Sequence, residues 1–76
     1  MKLPIISSKR LLSFLRKEGF ILIRQKGSHA FLKHSDGRTT VVPIHNNKDV
    51  SKGLLSAILS EINISREYFF KKNKRL

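Results

Sequence analysis

Two glycine turns constrain this chain more than any other feature. Lys26-Gly27 and Asp36-Gly37 divide residues 20–44 into three short runs rich in branched and aromatic side chains. Such pairs accept positive φ and reverse a strand within two or three residues. The stretch therefore predicts a three-stranded antiparallel meander over residues 20–25, 29–34 and 39–44. Pro43 has no backbone N–H, so the third run is an edge or ends its pairing there.

A meander needs helices to cover one of its faces. Ser7 or Ser8 offers a side-chain oxygen to cap a first helix, in which Leu11, Leu12 and Leu15 recur at helical spacing. Lys9, Arg10, Arg16 and Lys17 lie around its other side, and Gly19 stands where a helix commonly ends in a left-handed residue. After a polar connection, Leu54, Leu55, Ile58, Leu59 and Ile62 mark a second helix capped by Asp49 or Ser51. Ser65 opens a short last segment that docks through Tyr68 and Phe69 or Phe70, and residues 71–76 read as a frayed basic tail. The predicted class is α+β, with an αβββα order and both long helices on one face of the sheet. The 76 residues are expected to form a single domain. A domain this small buries about 60% of its unfolded surface.

Sixteen Lys and Arg against five Asp and Glu give a net charge of +11. So dense a positive field attracts polyanions: nucleic acid first, a membrane surface or an acidic protein second. The membrane reading wants a basic amphipathic helix with aromatics on its apolar face, which the chain lacks. Its longest strictly apolar run, Phe20 to Ile23, is far short of the ~20 residues of a spanning helix. With no cysteine and no signal-like segment, a cytoplasmic setting is expected.

The turns also give a register. A Lys26-Gly27 loop sets Arg24 opposite His29 and Ile23 opposite Ala30. A three-residue Asp36-Gly37-Arg38 loop sets His29 opposite His45 and Ala30 opposite Ile44. The expected core face is Ile21, Ile23, Ala30, Leu32, Val42 and Ile44. The open face then carries Leu22, Arg24, His29, Phe31, Lys33, Val41, Pro43 and His45. Leu22, Phe31, Val41 and Pro43 form an apolar patch of the kind that marks a partner site.

His29, His45 and Arg24 would then stand together, a set suited to cutting RNA without a metal or other cofactor. A base removes the 2′-OH proton, an acid protonates the leaving 5′-oxygen, and a cation stabilises the phosphorane. Histidine titrates near neutral pH, and arginine forks onto phosphate oxygens. On the residues alone, a histidine in so small a domain is more often a surface or hydrogen-bonding group than a catalyst. His34 falls on the core side near a turn and reads as an ordinary residue. The three histidines are too loosely spaced for a zinc motif, and no carboxylate accompanies them.

An ordered set of motifs adds to this. Gly19-Phe20, Lys26-Gly27-Ser28-His29, His34-Ser35-Asp36-Gly37-Arg38 and Val41-Val42-Pro43-Ile44-His45 are followed by Lys52-Gly53, residues 55–59 and Ile64-Ser65-Arg66-Glu67-Tyr68-Phe69. From about Leu11 to Phe70 the chain resembles the HicA family of messenger-RNA interferases. The resemblance implies a fold like the double-stranded-RNA-binding domain, translation-independent cleavage of messenger RNA and neutralisation by a HicB-type antitoxin. It implies that His29, the histidine after the glycine turn, is the catalytic residue, with His45 matching a second recurrent histidine. Lys26, Gly27, Ser28, Lys33, Lys48 and Lys52 are the expected RNA contacts. Where ordinary double-stranded-RNA-binding domains cluster lysines before the last long helix, this chain has Lys48 and Lys52 alone. Duplex binding across successive minor grooves is therefore not expected. These two lysines either hold a phosphate with the helix N-terminus or are solvated surface groups. A non-catalytic RNA-binding module of the same fold is the alternative.

Overall fold

The computed structural model describes residues 5–44 and 49–73. Among these described residues eight elements follow in order: β1 (Ile6–Ser7), α1 (Ser8–Lys17), β2 (Phe20–Lys26), β3 (His29–His34), β4 (Thr39–Pro43), β5 (Asp49–Val50), α2 (Lys52–Glu61) and α3 (Arg66–Lys72). The fold is α+β. β2, β3 and β4 form the antiparallel meander, with β3 in the middle. Among the described residues α1 packs against β2 and β4, and α2 against β4, leaving the opposite sheet face open.

Local chemistry sets the ends of these elements. The Ser7, Ser51 and Ser65 hydroxyls accept the backbone N–H groups of Arg10, Leu54 and Tyr68, capping the three helices. Each such cap contributes about 1 kcal/mol. α1 ends at Glu18, and Gly19 turns the chain out with φ +98°. A Cβ there would lie 2.8 Å from His34 Nε2, so the glycine also makes room for the imidazole. α3 belongs to the core: Phe69 is fully buried and meets Phe14 of α1 edge-on at 4.9 Å. Lys71 and Lys72, expected in a frayed tail, continue this helix instead.

The register differs from the sequence expectation in two places. The first turn is Gly27-Ser28, so Lys26 rather than Arg24 lies opposite His29, and Arg24 faces Phe31. Positive φ falls on Gly27, the first central residue, as in type II′ hairpins. The second loop has the expected three residues but starts one earlier, at Ser35-Asp36-Gly37, with Gly37 in the positive-φ position. His29 therefore faces Pro43, and Ala30 faces Val42. Moving a turn by one residue changes partners by two, so the faces of β3 and β4 stay as expected. Ala30, Leu32 and Val42 are buried, and Ile44 packs against them.

In β2 the outcome is otherwise. A bulge between Leu22 and Arg24 inserts one extra residue and reverses the faces of everything before it. Phe20 becomes the core residue. Ile21, placed opposite Lys33, and the bulged Ile23 are exposed, not buried as expected. Leu22 lies opposite buried Leu32, on the helical side, and leaves the predicted open-face patch. β1 pairs with β5 and buries Ile6 and Val50, where a plain polar connection was expected.

Candidate nucleic-acid interface and catalytic face

The open face is built from β2, β3 and β4. His29 opens β3 immediately after the Gly27-Ser28 turn and is exposed. Lys26 stands directly across from it on one side and Pro43 on the other. Along β3, Phe31 and Lys33 share the face, with Val41 opposite Phe31. Phe31 is half-buried because the Arg24 guanidinium lies over its ring, 4.7 Å from the centroid. A cation over the ring face is attracted by the ring quadrupole, which helps keep Arg24 at this face.

Of the predicted catalytic trio, the structure describes His29 and Arg24, and His45 lies outside the described residues. Arg24 is diagonal to His29, about 7–8 Å away by ordinary sheet geometry, and not directly opposite. Lys26 has the direct position. Lys26, Gly27, Ser28 and Lys33 gather at or beside this face, with Lys26, Gly27 and Lys33 exposed. Lys52 is the exposed first residue of α2 in the helical layer, and Lys48 lies outside the described residues. The stacking of Arg24 on Phe31 escaped the sequence reading. The signal was there, in cross-strand pairing, but appears only when the turn is placed at Gly27-Ser28.

His34 joins the end of α1 to the second turn. Its Nε2 meets the Glu18 carbonyl oxygen at 3.0 Å, and Nδ1 meets the Asp36 backbone N–H at 3.1 Å. In the neutral ring these contacts put the hydrogen on Nε2, which donates, while Nδ1 accepts. Phe20 packs edge-on against it. The nearby turn is pinned by Arg38, whose Nε donates to Asp36 at 2.8 Å and whose Nη1 donates to the Ile62 carbonyl at 2.6 Å.

A cleft of ≈ 500 Å³ between α1 and the end of α3 is lined by Arg10, Lys17, Lys71 and Lys72. It lies in the helical layer, away from His29. Lys17, Lys71 and Lys72 there sit in the last turns of their helices, where cations offset the helix dipoles. Among the described residues, no three His, Cys, Asp or Glu side chains group as metal ligands. No helix among them is long and apolar enough to cross a membrane.

The family model for the HicA toxin of bacterial toxin–antitoxin systems matches residues 8–64, from the first residue of α1 to just beyond α2. The chain belongs to the HicA toxin family. No curated protein matches it. As a HicA toxin it is one half of a toxin–antitoxin system, and its partner is an antitoxin. The family match includes the whole three-stranded sheet and stops short of α3.

Proposed function

We propose that this HicA toxin is a metal-independent endoribonuclease that binds and cuts messenger RNA, with His29 as its catalytic residue. The observation that carries the reading is an exposed imidazole on an open sheet face, directly across from Lys26 and diagonal to Arg24. His29 transfers a proton at the scissile phosphate, as base toward the 2′-OH or acid toward the leaving 5′-oxygen. Lys26 and Arg24 supply the positive charge that favours the phosphorane over the ground state. His45 is the candidate for the complementary proton transfer. Phe31 offers a ring for a base to stack on, and Lys33 extends the cationic track. Gly27 and Ser28 keep the approach to His29 low, and Lys48 and Lys52 are candidate contacts further along the RNA.

A HicB-type antitoxin inhibits by covering this face. Phe31, Val41 and Pro43 are its expected contacts, and Leu22 is not, since it lies on the helical side. The test is incubation of the purified toxin with a transcript in EDTA. The parent cuts the RNA, and His29→Ala, folded to the same degree, leaves it whole. Cleavage by His29→Ala at the parental rate removes the assignment. An intact transcript that the parent nevertheless binds would favour the non-catalytic module.

A further inference from the structure

β2 is an exposed edge strand. It is seven residues long and, among the described residues, pairs with β3 alone. Ile21, Leu22 and Ile23 follow one another along it and are 65%, 41% and 54% exposed. Ile21 shares the open face with Lys33, while Leu22 shares the helical side with Leu32. Unpaired backbone groups flanked by aliphatic side chains make a template for one more strand. The opposite edge, β4, is shorter, ends in Pro43 and has α2 packed against it.

We propose that β2 is the docking edge for the antitoxin, which adds an extended acidic segment as a fourth strand beside residues 21–26. The proposal rests on the toxin–antitoxin pairing and is independent of the catalytic assignment. Charge selects this occupant. Arg24 and Lys26 lie on the strand of a +11 chain, so a second copy would set like charges against each other. An acidic segment turns the same charges into attraction and speeds encounter. RNA is a poor match, because single strands are gripped by aromatic stacking, and these three side chains are branched aliphatics. The bulge at Ile23 makes the edge irregular, which disfavours indiscriminate pairing and rewards a partner shaped to it. Main-chain hydrogen bonds then supply affinity, and the aliphatic contacts supply specificity. A strand seated here places the body of the partner beside Arg24 and Phe31 without any rearrangement of the toxin.

The test uses the toxin and the antitoxin from its neighbouring reading frame. Amide exchange across residues 21–26 is expected to slow at least tenfold in the complex, and by more than across β4, where the partner covers side chains but adds no strand. Ile21→Thr/Ile23→Thr keeps strand propensity while removing apolar surface, and is expected to weaken the complex tenfold or more. The free variant should cut RNA at the parental rate. The proposal is overturned if β2 amides exchange equally fast in free toxin and complex, or if the double variant binds as tightly as the parent. Equal protection of β2 by single-stranded RNA alone, or by raising the toxin concentration, would give the edge to RNA or to self-pairing and also overturn it. Should the variant fail to fold, exchange in the parental complex decides. Loss of RNA cleavage by the free parent would count against the nuclease reading and leave this result standing.

Discussion

Thr40 lies on the core face of β4 opposite Leu32, 3% exposed, and its hydroxyl has no hydrogen-bond partner among the described residues. An unpaired buried hydroxyl costs about 1–3 kcal/mol. Thr40→Val keeps the branched shape and removes the polar atom, so it should raise stability by about 1 kcal/mol in denaturant melts. A lower midpoint would mean the hydroxyl is satisfied after all. Asp36 makes the opposite case. Its carboxylate accepts the Arg38 backbone N–H at 3.0 Å, and this contact, joined by the Arg38 side chain and His34, holds its pKa below the ordinary 3.8 against a smaller opposing effect of desolvation. The folded chain therefore takes up this proton at lower pH than the unfolded chain does. The resulting stability is present above pH 3.8 and fades as pH falls through the lower folded value. Asp36→Asn should melt below the parent at neutral pH, with the gap closing under acid. A gap that stays constant down to pH 2 would show that the charge contributes nothing. Both residues stand in the sequence, but in the third strand the apolar Val42 and Ile44 mark the core face and Thr40 does not. A polar residue at a core register position becomes conspicuous only when its burial is known.

At the scale of elements, helices were readable because their signals are local: serine caps, leucines three and four apart, a glycine exit. Strand existence was readable for the same reason. Register was not, because it depends on which residue of a glycine turn takes positive φ and on a bulge that no local pattern announces. The β1–β5 pair was invisible because one apolar residue on each side, Ile6 and Val50, carries it across more than forty residues. The short helix α3 tests how elements depend on packing. Seven residues do not hold a helix in water, so α3 is sustained by Phe69 against Phe14, by the Ser65 cap, and by the Tyr68 hydroxyl donating to Glu18 at 3.0 Å. Phe69→Ala should cost about 3–5 kcal/mol. It should also strip exchange protection from residues 66–72 while the β3 amides stay the slowest to exchange. A loss under about 1 kcal/mol would mean that α3 is an appendage outside the core.

For the whole molecule, the question is whether the +11 charge acts as a diffuse field or through one face. The two alternatives differ in salt dependence. Each phosphate neutralised on a single strand contributes about 0.7 to the fall of log K with log salt. Among the described residues the open face presents Arg24, Lys26 and Lys33, which gives a slope of about −2. Contacts from Lys48 and Lys52 would steepen it to on the order of −3 to −4. A diffuse field would spread any loss evenly over the sixteen basic residues. With His29→Ala present to prevent cutting, Lys26→Gln or Lys33→Gln should each flatten the slope by about 0.7. Lys17→Gln and Lys72→Gln, in the helical layer, should leave it unchanged. Equal flattening by both pairs would assign the RNA to the molecule's overall charge, and a flat parental titration would show that charge does not hold the RNA. The expected split follows from architecture. The helices cover one side of a three-stranded sheet, and β3 places His29, Phe31 and Lys33 on the other.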